Sequence, residues 1–265
     1  MAVPLKGKEN KLITLLKSYG SAVIAYSGGT DSTLLAVLAK EALGDKHLAV
    51  TAASPTYTSA ELKQAKAIAK QFGLNLQVVT TDELDDPTFT ANPVDRCFHC
   101  KNHLLKIVHE VALQRGFTAV LDGTNADDGR DYRPGRKAVE GWGVNSPLAE
   151  AGLTKAEIRR IAKRKKLPNW NKPANACLAS RVPYGTVISA DVLSRIERAE
   201  RALFKMGFRH HRVRHHGDIA RIELPPADLP KAIKRRAQLI RQVKTAGYKF
   251  VTLDLAGYQM GCFNP

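Results

Sequence analysis

Ser21-Ala22-Val23-Ile24-Ala25-Tyr26-Ser27-Gly28-Gly29-Thr30-Asp31-Ser32 is the stretch that decides the fold. Its first six residues form an apolar run of buried-strand length, and Thr33 to Leu43 beyond it has apolar residues at helical spacing. A Gly-rich turn between strand and helix brings backbone N–H groups and a helix N-terminus onto one anion. Gly28 and Gly29 let the backbone come close to phosphate oxygens. Ser27, Thr30 and Ser32 offer hydroxyls. Asp31 repels phosphate, so its natural partner is a magnesium ion. No GxxxxGK[ST] string occurs in the chain, which excludes a kinase-type P-loop.

The alternation continues outward. His47–Ala53, Leu76–Thr80 and Thr118–Leu121 read as strands, and Ser59–Phe72, Cys100–Arg115 and Thr154–Lys166 as helices. Strands alternating with helices of this length predict an α/β fold, a doubly wound parallel sheet covered on both faces. The rhythm changes around Pro183–Gly185. Ala190–Met206 and Leu229–Ala246 read as helices, and Arg209–His215, Ile219–Leu224 and Phe250–Leu255 as strands. That pattern predicts a smaller C-terminal α+β domain, with domains at 1–185 and 186–265. A chain of 265 residues accommodates one or two domains.

The net charge is +16. Residues 1–150 hold 17 basic and 17 acidic side chains, so 151–265 carry the whole excess. That half faces something anionic or wears a solvated basic shell. No apolar run reaches the length of a membrane span, and the first residues, Met-Ala-Val-Pro-Leu-Lys-Gly-Lys, lack the apolar core of a signal peptide. A cytoplasmic protein is expected. Of the four cysteines, Cys97 and Cys100 form a CxxC at the start of a helix, where spacing i, i+3 puts both sulfurs on one face. The helix N-terminus with Arg96 and Lys101 favours thiolate. Cys177 follows in Asn175-Ala176-Cys177-Leu178-Ala179-Ser180-Arg181. Three thiolates can hold a [4Fe–4S] cluster and leave one iron open. Zinc with His99 or Cys262 as fourth ligand, a redox pair and inert thiols compete, and spacing alone ranks zinc first. Cys262 reads as an incidental thiol.

The Ser27–Ser32 string resembles the PP-loop of the ATP pyrophosphatase superfamily, which cleaves ATP between its α and β phosphates and adenylates a substrate oxygen. A second match, Leu121-Asp122-Gly123-Thr124-Asn125-Ala126-Asp127-Asp128, closes the fourth strand, and carboxyl ends of strands are where open α/β sheets hold ligands. Beside such a loop the cysteines are better explained by sulfur transfer, because an activated substrate needs a nucleophile.

Further strings make the resemblance specific. Asp131-Tyr132-Arg133-Pro134-Gly135, Asn169-Trp170-Asn171-Lys172, Ser180-Arg181-Val182-Pro183-Tyr184-Gly185-Thr186, Arg212-Val213-Arg214, Asp218-Ile219-Ala220-Arg221-Ile222-Glu223-Leu224 and Val251-Thr252-Leu253-Asp254-Leu255 are similar to those of the LarE sulfur transferases. The resemblance implies ATP, Mg2+ and a pyridinium-3,5-biscarboxylic acid mononucleotide whose carboxylates become thiocarboxylates for the nickel-pincer cofactor of lactate racemase. It places Ser27, Gly28, Gly29, Thr30, Asp31, Ser32, Asp122, Gly123, Asp128 and Arg133 around the nucleotide. It places Ser180, Arg181, Arg212 and Arg214 on the substrate. Asp31 and the three cysteines are its catalytic residues. One LarE type sacrifices the sulfur of a cysteine one position before Cys177. Here that position is Ala176, which instead fits the type with Cys97, Cys100 and Cys177 as ligands of a [4Fe–4S] cluster. A sulfide donor and a homo-oligomer, trimer or hexamer, are also implied. Glu200 and Glu223 match acidic positions tied to a divalent metal, and read alone they are surface carboxylates. His210, His211, His215 and His216 read as imidazoles near an anion or on the surface, not as a metal site. A tRNA thiolase of the same superfamily is the alternative, against which stands the lack of a recognisable RNA-binding module. An amide-forming ligase or a non-catalytic nucleotide binder would leave the cysteines unexplained.

Overall fold

Four apolar runs assemble as neighbours in one sheet because none of them can bury both faces alone. The computed structural model describes residues 4–130, 135–173, 176–259 and 262–263. In chain order the elements are α1 (Leu5–Ser18), β1 (Ala22–Ala25), α2 (Thr30–Leu43), β2 (His47–Ala53), α3 (Ser59–Gln71), β3 (Leu76–Thr80), α4 (Pro87–Thr90), α5 (Arg96–Gln114), β4 (Ala119–Leu121), α6 (Gly135–Gly141), α7 (Pro147–Glu150), α8 (Lys155–Arg164), α9 (Ala190–Lys205), β5 (Arg212–His216), β6 (Ile219–Glu223), α10 (Leu229–Lys234), α11 (Arg236–Lys244) and β7 (Phe250–Leu253).

The chain packs as two compact units. The first comprises 1–54, 59–81 and 97–175. Its sheet has the order β3-β2-β1-β4 and is parallel throughout. Ala22 stands beside His47 on one side and Ala119 on the other. One face packs with α1, α2 and α8 through Leu12, Leu16, Leu35, Ile158 and Ile161. The other packs with α5 and α6 through Leu105, Val108 and Val139. This is the expected doubly wound sheet. The strand order reverses between β1 and β4, the position at which open α/β sheets hold their ligands.

The second unit comprises 55–58, 82–96 and 176–265. β5 and β6 are antiparallel, and β7 joins β6 in parallel. Val213, Ala220 and Ile222 point to one face and pack with Leu203, Phe208, Leu239 and Val243. Period two then sends Arg212, Arg214, Arg221 and Glu223 to the opposite face.

Some elements differ from expectation. Helix α5 begins at Arg96 rather than at Cys100, and it holds both cysteines of the CxxC at its start, as their spacing led one to expect. The expected helix 229–246 is broken at Arg235, whose Nη1 donates to the Met206 carbonyl at 2.6 Å. Helix α1 is an element outside the expected alternation, and its Leu12 and Leu16 are wholly buried. Among the described residues no helix is long and apolar enough to cross a membrane.

Candidate active site

Strand β1 ends at Ala25 and α2 begins at Thr30, so the loop between them sits at the carboxyl end of a central strand. Gly28 has φ +69°, and a Cβ there would lie 2.7 Å from the Ala65 Cβ. Only glycine fits that turn. The Ser27 and Ser32 hydroxyls share a hydrogen bond of 3.0 Å, and the Ser27 N–H donates to the Ser32 Oγ at 3.2 Å. The loop therefore folds over the first turn of α2, whose leading N–H groups have no acceptor within the helix. The arrangement is an anion cradle.

Two residues that the sequence reading assigned no role complete it. Asn169 donates its Nδ2 to the Gly28 carbonyl at 3.0 Å and to the Thr33 Oγ1 at 2.9 Å. Its own carbonyl accepts from Thr30 Oγ1 at 2.8 Å. Lys155, the first residue of α8, places Nζ 2.6 and 2.7 Å from the two Asp31 oxygens. Asn125 Nδ2 lies 3.4 Å from Asp31 as well. Asn169 stood in a matched string; Lys155 gave no local signal, being 124 positions from its partner.

The loop after β4 lies against the start of α2. A Cβ on Gly123 would stand 3.0 Å from the Ser32 nitrogen, so the glycine lets the two loops touch. Asp122 accepts from Ser146 Oγ at 2.8 Å and Thr124 Oγ1 at 2.8 Å, and Lys101 Nζ is 3.5 Å away. Asp128 accepts from the Asn125 N–H at 3.0 Å, which shapes the turn. Arg133 lies outside the described residues.

Cys97 is exposed and Cys100 half-buried on the first turn of α5; Cys177 and Cys262 are half-buried, and none of the four forms a disulfide. Among the described residues no group of three or more His, Cys, Asp or Glu is arranged to hold a metal ion. Burial pushes the Cys262 thiol up, and it donates to Glu223 Oε1 at 3.4 Å.

The basic face of the second unit differs from the expected ligand clamp. Arg181 is buried, with Nε and Nη2 on Glu200 at 3.0 and 3.1 Å. Arg214 is buried with Nε and Nη2 on Glu223 at 2.9 and 2.7 Å, and its Nη1 donates to the Ser180 carbonyl. Glu200 and Glu223 are thus not surface carboxylates. Glu200 is the buried partner of Arg181, and Glu223 that of Arg214 with Arg221 Nη2 at 3.2 Å as well, the pairing that lets a charge stay out of water. Burial alone would raise Glu200, but Arg181, with His211 and Arg212, holds it below its ordinary range. Arg212 is half-buried over the Tyr258 ring, 5.3 Å from its centroid, and its Nη1 donates to the His211 carbonyl at 2.7 Å.

His210 and His216 are exposed, but His211 and His215 are buried. Burial lowers the pKa of both. His211 Nδ1 lies 2.8 Å from the Phe208 carbonyl, and His215 Nδ1 3.2 Å from the Tyr248 hydroxyl. Each therefore holds a proton less readily when folded than when unfolded, where the ordinary value is 6.5. The unfolded chain then binds more protons below that value, so stability falls as pH drops through it. Glu200 contributes over a lower window, lost only as pH falls below its 4.5 reference. The urea midpoint is expected to fall between pH 7.5 and 5.5, on the order of one pKa unit either side of an ordinary His. His215→Phe should flatten that slope. A pH-independent midpoint would contradict the assignment.

Lys155→Ala should raise the KM for ATP about tenfold, by the loss of roughly 1.4 kcal/mol from one charge-assisted contact. Steady-state kinetics at saturating magnesium measures it, and an unchanged KM would remove Lys155 from the site.

Residues 10–99 match the NAD synthase family. Over 97% of each chain the protein is 43% identical to the uncharacterized protein slr1717 of Synechocystis. It is 38% identical to the pyridinium-3,5-bisthiocarboxylic acid mononucleotide synthase of Lactiplantibacillus plantarum, over 98% of this chain and 95% of that one. A glutamine-hydrolyzing GMP synthase component from Methanococcus maripaludis is 28% identical over 69% of this chain and 60% of its own.

Proposed function

The chain belongs to the LarE family of PP-loop sulfur transferases, and on that premise we propose that it makes pyridinium-3,5-bisthiocarboxylic acid mononucleotide. A substrate carboxylate oxygen attacks the α-phosphorus of ATP, the bond to the bridging oxygen breaks, and pyrophosphate leaves. Sulfide then attacks the acyl carbon and AMP departs with the oxygen, which leaves a thiocarboxylate. Sulfur keeps its oxidation state throughout. Two such rounds convert both carboxylates.

The observation carrying this reading is the junction of the phosphate cradle with the CxxC helix. Lys101, next to Cys100, reaches Asp122, and Gly123 beside it packs against the start of α2. The nucleotide phosphates would rest on Ser27–Ser32, with Asp31 the residue for Mg2+ and the Lys155 ammonium, released from Asp31, the residue for the phosphates. Asn169 and Gly123 hold the cradle's shape. Asp128 braces the loop after β4.

The sulfur would be carried at Cys97, Cys100 and Cys177. Three thiols held in no disulfide suit a [4Fe–4S] cluster, which when bound supplies an iron open to sulfide. Ala176 stands where the sacrificial LarE type has its cysteine, which favours repeated turnover. Ser180 and Arg212 are the residues we assign to the anionic substrate, while Arg181 and Arg214 hold their carboxylates Glu200 and Glu223.

The test is anaerobic purification with iron, acid-labile sulfide and zinc analysis, beside an assay of ATP-dependent pyrophosphate release with the pyridinium substrate. About four irons with matching sulfide are expected. Substrate-independent ATP cleavage, or zinc retained with no iron after reconstitution, would overturn the respective half.

A further inference from the structure

Arg181 makes an unusual use of its donors. Its side chain is 1% exposed, so no face is left for a ligand. Nε and Nη2 lie side-on to Glu200, and Nη1 points the other way. That nitrogen donates to the Ala176 carbonyl at 2.5 Å, the Cys177 carbonyl at 2.9 Å and the Ser180 Oγ at 3.0 Å. The first two belong to the peptide groups on either side of the Cys177 Cα. Fixing both peptide planes fixes φ and ψ at Cys177, and with them the direction of its Cα–Cβ bond.

The anchor of this contact is itself fixed. Glu200 sits on α9, whose Leu193, Ile196, Ala199 and Leu203 are buried. Its Oε1 also accepts the Val213 N–H at 3.1 Å. The turn is pinned at its far end too, where Arg214 Nη1 donates to the Ser180 carbonyl at 2.9 Å. Leu178 N–H donates to the Thr56 carbonyl at 2.8 Å. A bidentate guanidinium suits such a frame because its planar fork presents several donors at set angles.

We propose that Glu200 and Arg181 are positioning residues, a buried fork that aims the Cys177 thiol, rather than a divalent-metal ligand and a substrate clamp. The proposal rests on the reading of Cys177 as a sulfur-handling residue. A lysine at 181 keeps the charge but has one nitrogen, which cannot grip Glu200 side-on and hold both carbonyls.

The experiment measures iodoacetamide alkylation of Cys177 in the full chain freed of metal, by mass spectrometry, with Cys262 as internal reference. Arg181→Lys is expected to change the Cys177 rate relative to Cys262 by at least about threefold, because a released turn samples other conformations. In the loaded enzyme kcat should fall about tenfold, with the substrate KM unchanged, as expected of lost orientation. Glu200→Gln should act in the same direction and leave the Mg2+ half-saturation where it was. If Arg181→Lys does not fold, Glu200→Gln decides by the same readouts.

A tenfold rise in KM with kcat and alkylation unaltered would overturn the proposal, placing Arg181 on the ligand. A shifted Mg2+ half-saturation with unaltered alkylation would overturn it for Glu200. Cys177→Ala tests the underlying reading separately. Retained sulfur transfer there would remove Cys177 from the chemistry, while the alkylation result would still stand as a measure of the turn's geometry.

Discussion

Gly28→Ala is expected to lower ATP-dependent pyrophosphate release by at least about a hundredfold, the scale of a displacement near 1 Å at a reacting group. Two penalties meet at this residue. Its φ of +69° is left-handed, which costs an L-residue roughly 1–2 kcal/mol. Its new Cβ would also lie 2.7 Å from the Ala65 Cβ and 3.1 Å from the Ala65 Cα. The second distance is to backbone, so no side-chain rotation relieves it. Helix α3 cannot withdraw easily either, because the Ala65 carbonyl accepts from Tyr26 Oη at 3.1 Å. The loop must therefore move, and with it the hydroxyls and N–H groups of the cradle. Gly20 separates the two penalties. It has φ +71° but nothing within 4 Å of a built Cβ. Gly20→Ala should cost about 1 kcal/mol of stability and leave pyrophosphate release intact. Ala65→Gly combined with Gly28→Ala should recover part of the lost rate. Wild-type release by Gly28→Ala alone would mean that the loop is not the nucleotide cradle.

The parts of this fold that the sequence displays are those with local causes. The switch from an apolar run to helical spacing, with two glycines between, marks β1, the loop and α2. The alternation at 212–216 puts Arg212 and Arg214 on one face, as the register with β6 has it. In α5 the apolar spacing marks the helix from Cys100, four residues after its onset at Arg96. What the sequence could not display was pairing over distance. Asp31 finds Lys155 from 124 positions away, and Gly28 finds Asn169 from 141. The arginines are the sharper case. Arg181 and Arg214 look like members of a basic surface until Glu200 and Glu223 bury them, 19 and 9 positions away. These neutral pairs leave the charge excess after residue 150 unchanged, but a sequence count of cations overstates the arginines offered to an anion.

Cys177→Ala is expected to cut thiocarboxylate formation by at least about a thousandfold while ATP cleavage continues, as when a nucleophile is removed but activation is not. The residues that shape the phosphate cradle are Ser27–Ser32, Gly123, Lys155 and Asn169, all in the first unit. Cys177 belongs to the second, at the head of the turn Leu178–Arg181. Removing one half-buried sulfur costs about 1 kcal/mol or less, so the variant should fold. The acyl adenylate then has only water to meet. Pyrophosphate release should persist, uncoupled from sulfur transfer, and the dicarboxylate should be recovered unchanged with AMP. Iron content gives an independent measure. Cys97→Ala, Cys100→Ala and Cys177→Ala should each lose iron, because two thiolates hold a cluster poorly. Cys262→Ala should keep both iron and product, since that thiol is occupied with Glu223 and has no place in the ligand set. Product formed by Cys177→Ala at the wild-type rate would sink the assignment of the thiol. Loss of pyrophosphate release along with product would show instead that activation and sulfur transfer share one site.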